Sequence, residues 1–235
     1  MKTKISLILA LFLLSFSNCT SENEKVSNEE INYAKKSKIN ANKILSSYQF
    51  NSFINGKDFL SKNENSEYII TQDKLKELLD LTNFSEEEKA KVTVEFTNNI
   101  IKTIVEAKKN GGLTKDFISS FPISEPSEKA IIQMLDENKI QKVESLIPFN
   151  TISVKEQGML SVVNDFRNDY LTENKNRLEH RDCFMSGPTG SGYMSCGTAG
   201  GIIGGLIGGS CCGVVGLGVG AGVGYLVGKL IGDVS

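Results

Sequence analysis

Residues 196–232 read CGTAGGIIGGLIGGSCCGVVGLGVGAGVGYLVGKLIG, and their spacing decides what this end of the chain folds into. Gly200, Gly204, Gly208, Cys212, Gly216, Gly220, Gly224, Gly228 and Gly232 share one register of four. A second register, Gly197, Gly201, Gly205, Gly209 and Gly213, runs beside it. Residues four apart lie near one face of a helix, and glycine lets another backbone come close. The register is too long for one straight helix. Each step of four advances the stripe by about 40°, so over its whole length it would wind most of the way around. Two shorter helices resolve this, broken at Ser210-Cys211-Cys212-Gly213. A first arm, Tyr193–Gly209, and a second, Val214–Ile231, then fold back into a hairpin with a glycine-lined seam.

Solvent matters to such a segment. Residues 213–232 hold eight glycines, which costs roughly 8 kcal/mol of helix propensity relative to alanine. Nine Val, Leu or Ile residues in the same stretch favour an apolar environment. A helix of this length spans about 30 Å, the depth of a bilayer core. Lipid also forces backbone groups to pair internally, and Lys229 near the end has a stem long enough to snorkel. The run from Gly197 to Gly232 resembles the glycine-zipper segments of bacterial envelope lipoproteins. That resemblance implies insertion into or packing at a membrane, and self-association. The helix-packing residues are then Gly197, Gly200, Gly201, Gly204, Gly205, Gly208, Gly209, Gly216, Gly220, Gly224, Gly228 and Gly232. The segment is similar, less closely, to GxxxG-bearing two-peptide bacteriocins, which are short secreted peptides acting on target membranes.

The N-terminus bears on the compartment. Lys2 and Lys4 precede an apolar run from Ile5 to Phe16, the pattern of a secretory signal and too short for an ordinary span. Cys19 follows directly. This resembles the lipobox of bacterial lipoproteins, in which the cysteine is lipidated and becomes the mature N-terminus. Phe16 and Asn18 stand where that motif prefers Leu and Gly or Ala. Glu22, Glu24, Glu29 and Glu30 come next, similar to the acidic surface-export signal of some lipoproteins. The resemblance implies an exported, membrane-anchored envelope protein, at the outer membrane or cell surface.

Without residues 1–18 the chain carries 24 basic and 28 acidic side chains, a net charge of −4. That excess of acid argues against nucleic acid as a partner. Eighteen of the 22 glycines lie between Gly187 and Gly232, and no charged residue occurs from Cys183 to Gly228. The chain therefore divides into residues 1–18 as signal peptide, 19–66 as lipidated N-terminus and tether, 67–178 as an α-helical domain, 179–196 as linker and 197–232 as hairpin. The fold class is all-α, a small helical bundle followed by a glycine-rich apolar helical hairpin.

Within the helical part, a loosely periodic helix is expected around Glu29–Ser46 and a loop over Asn51–Ser66. Thr71 is expected to cap a helix through Leu81 that buries Leu75, Leu78, Leu79 and Leu81. Ser85 and Glu88 fit a capping box with Phe84 as staple. The helix they open carries Val92, Val94, Phe96, Ile100, Ile101, Ile104 and Val105 inward, with Lys108 and Lys109 at its end and Gly111 at C′. Ser124-Glu125-Pro126 suits a further helix start. That helix is expected to bury Ile131, Ile132, Met134, Leu135, Ile140 and Val143 before Pro148 ends it. Ser153 caps a last helix to about Glu173, with Val154, Met159, Leu160, Val162, Val163, Phe166 and Tyr170 inward. The Glu86-Glu87-Glu88 run reads as a solvated face. Such a bundle is a candidate surface for an unidentified protein partner.

No motif for catalysis emerges. Cys183, Cys196, Cys211 and Cys212 suggest disulfides outside the cytoplasm, with Cys183 and Cys196 stapled to the turn at Cys211-Cys212. A zinc site with His180 lacks any CxxC pair, so no metal and no cofactor is expected. Gly187-Pro188-Thr189-Gly190-Ser191-Gly192 imitates a P-loop, but Tyr193 and Met194 replace its Lys and Ser or Thr, and a flexible linker is the better reading. HExxH and GxSxG are absent from the sequence. The expected function is non-catalytic, with membrane lipid and a second copy as partners. A membrane-permeabilising antibacterial effector and a surface binding module are the alternatives.

Overall fold

The computed structural model describes residues 59–80, 82, 84–137, 139–174, 184–186 and 192–234. The signal segment, Cys19, the helix expected at 29–46, Leu81, His180 and Cys183 lie outside the described residues. What is described is all-α, with four short strands in two separate ladders. Ser61–Lys62 (β1) pairs antiparallel with Tyr68–Ile69 (β2), where the sequence suggested only loop and the start of the bundle. Helices α1 (Gln72–Asp80), α2 (Glu86–Ala90), α3 (Val94–Lys109), α4 (Lys115–Ile118) and α5 (Glu125–Asp136) follow. Two 3-10 turns, Val143–Ser145 and Phe149–Thr151, lead into α6 (Val154–Asn174). Phe184–Ser186 (β3) and Gly192–Met194 (β4) pair antiparallel within the stretch read as linker. The last helical stretch, Cys196–Val234, is broken at Cys212 and Gly213, whose φ/ψ values are −132°/16° and 63°/−150°. It is therefore two helices, α7 (196–211) and α8 (214–234), turned back at the predicted point.

The caps explain most of the bundle's boundaries. Ser85 and Glu88 form the reciprocal capping box of α2. That helix does not continue to Lys109, however. Thr93 accepts a hydrogen bond from the Phe96 amide at 3.1 Å and opens α3 as a separate helix. Its hydroxyl offers a local alternative to the helical ladder, so the chain stops and restarts. At the other end Gly111 takes a φ of +92°. The Gly112 amide bonds the Ala107 carbonyl at 2.8 Å, closing a Schellman turn. Helix α5 starts at Glu125, with Ser124 as N-cap and Pro126 in its first turn as expected, but ends at Asp136, and Glu137 is extended. Ile140 consequently leaves the helical register and is 51% exposed instead of buried. Val143 does reach the core, from the 3-10 turn.

Two asparagines join distant segments. Asn98 on α3 accepts from the Ile70 amide at 2.7 Å and donates to its carbonyl at 3.3 Å, holding β2 to α3. Asn168 on α6 does the same for Gln141, at 3.1 and 2.7 Å, and fixes the segment that follows α5. The hairpin packs against α6 and α3. Ile100, Ile104, Leu160, Val163, Ile202, Ile203, Leu206 and Leu217 are all fully buried in one continuous cluster. Bundle and hairpin thus share a core.

Candidate functional site: the glycine seam and its cover

Ser195 starts the hairpin. Its hydroxyl accepts from the Thr198 amide at 3.0 Å and its carbonyl accepts from the Ala199 amide at 3.0 Å. The two arms then meet through the first glycine register. Gly200 faces Gly224, Gly204 faces Gly220, and Gly208 faces Gly216. Gly228 faces the Cys196 backbone, and Gly232 faces the Cys196 side chain. The backbone pairs, from Gly208–Gly216 out to Cys196–Gly228, are symmetric in sequence about Cys212, so one four-residue column closes on itself as an antiparallel seam. From Gly200 to Gly228 backbone meets backbone. A methyl group built on Gly204 would overlap the Gly220 carbonyl oxygen and stand 2.9 Å from the Gly224 Cα. On Gly200 it would overlap the Gly224 oxygen. No residue with a side chain fits these positions without parting the arms.

The second register has a different partner. Gly201 lies under the Phe166 ring, Gly205 under Val162, and Gly209 under Met159 and Leu217. Gly197 lies beside Tyr225 and Lys229. Helix α6 thus runs antiparallel to α7 with its large side chains seated over glycines. Gly158 returns the arrangement, since a methyl group there would collide with Leu217. Lys155 donates to the Ser210 carbonyl at 3.4 Å, placing a cation at the negative end of α7. Phe166 and Tyr225 are in tilted ring contact at 5.9 Å, and the Lys229 ammonium lies 5.1 Å from the Tyr225 ring centre. Lys229 is half-buried against that ring within the folded chain.

Among the described residues, one apolar stretch, Cys196–Gly213, reaches the length and hydropathy of a membrane span; it comprises α7 and the two residues of the turn, and 78% of it is buried inside the protein. The second arm is apolar over Gly216–Gly232. All twelve helix-packing glycines lie at contacts of the hairpin with itself or with its neighbours.

The expected staple from Cys196 to the turn at Cys211-Cys212 is not formed. Cys196 is disulfide-bonded, with its partner outside the described residues. Cys211 and Cys212 form no disulfide, and Cys212 is exposed at the turn. Cys196 stands at the base of the hairpin, beside Gly228 and Gly232, with the length of α7 between it and the tip. The turn is closed instead by the left-handed backbone at Gly213, so no bridge to Cys211 or Cys212 is needed. Alkylation of the unfolded but unreduced protein is expected to label Cys211 and Cys212 and to spare Cys196. Mass mapping that found Cys211 or Cys212 protected would contradict this arrangement.

Two buried charged groups on α6 escaped the sequence reading. Arg167 on α6 is 1% exposed and its guanidinium lies 5.7 Å from the Tyr170 ring centre. Burial draws its pKa down, against a smaller opposing influence of Tyr170. Glu156 is also buried, at the start of α6. No group of three metal-ligating side chains occurs among the described residues. The chain matches no family model, no curated protein and no solved structure.

Proposed function

We propose that this chain is a non-catalytic exported lipoprotein, held to a cell-envelope membrane through Cys19, whose glycine-zipper hairpin enters or packs at that membrane and associates with other copies. The observation that carries this reading is the seam. Two helices satisfy their backbone hydrogen bonds within each arm, as lipid requires, and at the seam the arms close backbone to backbone. Small residues at the contact and Ile, Leu and Val around them are what helix pairs in lipid use. The rival with a specific observation behind it is a binding module in which the hairpin serves only as core. The burial of most of α7 favours that rival. An antibacterial effector would use the same insertion against another cell.

Fractionation of wild-type and Cys19→Ala proteins separates these readings. Wild type is expected wholly in the membrane fraction. Cys19→Ala is expected to divide between soluble and membrane fractions, and its membrane share is expected to survive an alkaline wash. A Cys19→Ala protein that stays soluble and ignores added vesicles would leave the hairpin as core alone. A wild-type protein found in the soluble fraction would remove the lipid anchor. Killing of sensitive cells by the purified protein would favour the effector.

A further inference from the structure

We propose that α6 is an intramolecular competitor for self-association of the hairpin: its side chains occupy a glycine face that a second copy would use. This rests on the reading that the hairpin enters lipid. The first glycine register is consumed inside the seam, where Gly200, Gly204 and Gly208 already face Gly224, Gly220 and Gly216. The second register, Gly197, Gly201, Gly205 and Gly209, repeats the spacing that brings helices together in lipid. Phe166, Val162 and Met159 fill three of its four positions. A second hairpin and α6 cannot occupy that face together.

Helix α6 is also unable to accompany the hairpin into a bilayer. It carries Lys155, Glu156, Asp165, Arg167 and Asp169, and charges of this kind are costly at the bilayer centre. Entry into lipid therefore requires the contact between α6 and α7 to break. The same step uncovers Gly201, Gly205 and Gly209 for another copy. Insertion and assembly become coupled, and the folded chain in water is held as a monomer with respect to this face.

The test is a covalent lock. A Cβ built on Gly205 stands 3.6 Å from the Val162 Cβ, within the range a disulfide spans. Val162→Cys and Gly205→Cys are combined in a full-length chain carrying Cys19→Ala, Cys211→Ser and Cys212→Ser. That background has no lipid anchor and no competing thiol at the turn. The oxidised pair is compared with each single-cysteine variant on vesicles of phosphatidylethanolamine and phosphatidylglycerol loaded with a fluorescent dye. The bridged protein is expected to insert and to cross-link into oligomers less by about tenfold or more than the single variants. Phe166→Ala, which lightens the cover, is expected to insert and oligomerise more than the background. If the bridged and single variants insert alike, α6 is no competitor, while the membrane reading stands. If no variant inserts, Phe166→Ala included, the membrane reading fails and the competition fails with it.

Discussion

Gly204→Ala is expected to destabilise the protein by about 2 kcal/mol although it places the better helix former in a helix. Two terms compete. Alanine gains about 1 kcal/mol over glycine in a helix interior. Against this, its methyl group would overlap the Gly220 carbonyl oxygen and crowd the Gly224 Cα at 2.9 Å. Both obstacles are backbone, so no rotamer change relieves them, and overpacking of a closed core costs about 1–3 kcal/mol and at times more. The arms must part, and every contact of the seam loosens with them. Gly204→Leu and Gly220→Leu are expected to prevent the hairpin from closing. Gly197→Ala is the control, because the nearest atoms there belong to the Lys229 and Tyr225 side chains, at 3.0 and 3.2 Å, which can move. It is expected to change stability by less than about 1 kcal/mol. Urea unfolding followed by circular dichroism reads the difference. With a slope of about 2 kcal/mol per molar, the Gly204→Ala midpoint falls by about 1 M. Equal midpoints for Gly204→Ala and wild type would mean that the arms do not meet at these glycines.

The turn at Cys212 was legible because a period of four and a helical repeat of 3.6 cannot stay in phase. That mismatch alone forces a break in so long a register, and Ser210–Gly213 lacks the large apolar residues of the arms. The caps were legible for the same local reason at Ser85, Gly111, Pro126 and Ser153. The stop and restart at Thr93 was not, since a threonine within an apolar stripe reads equally as helix interior. The exposed Ile140 shows the limit of periodicity, which continues through a segment whose backbone has already left the helix. What covers the hairpin was least legible. Phe166 and Val162 read simply as inward residues of a helix, and only the fold shows that inward means over Gly201 and Gly205. The glycines suggested lipid as the apolar neighbour. In the folded chain that neighbour is α6, a helix whose buried face also includes Arg167 and Glu156.

Glu156→Gln is expected to cost about 3 kcal/mol at neutral pH and progressively less as the pH is lowered. One oxygen of the Glu156 carboxylate accepts from the Ser153 amide at 3.2 Å and the Ser153 hydroxyl at 2.9 Å, while the Glu156 amide donates back to that hydroxyl at 3.3 Å. The other oxygen accepts from the Ser124 amide at 2.5 Å. A single buried carboxylate thus joins the start of α5 to the start of α6, where two helix N-termini both favour negative charge. Burial by itself pushes its pKa up. The hydrogen bonds from Ser124 and Ser153, side chain and backbone, outweigh that and bring it down to about 2 from 4.5. The folded-state pKa is depressed, so the contribution is complete above the unfolded value and is lost as pH falls from about 4.5 towards 2. A shift of this size corresponds to about 3 kcal/mol. Glutamine keeps one acceptor but turns N–H donors toward amides that are themselves donors, and it cannot titrate. Unfolding midpoints of the two proteins are therefore expected to lie far apart at pH 7 and to converge near pH 2. A gap of constant size across that range would assign the loss to shape and not to charge. Because Ser124 and Ser153 fix the start of α6, and α6 holds Met159, Val162 and Phe166 over the hairpin, acid is expected to loosen the cover before it disturbs the seam. The seam itself contains no titratable group between Gly200 and Gly208 or between Gly216 and Gly224, so hydrogen exchange at low pH should reach the α6 amides ahead of those in α7 and α8.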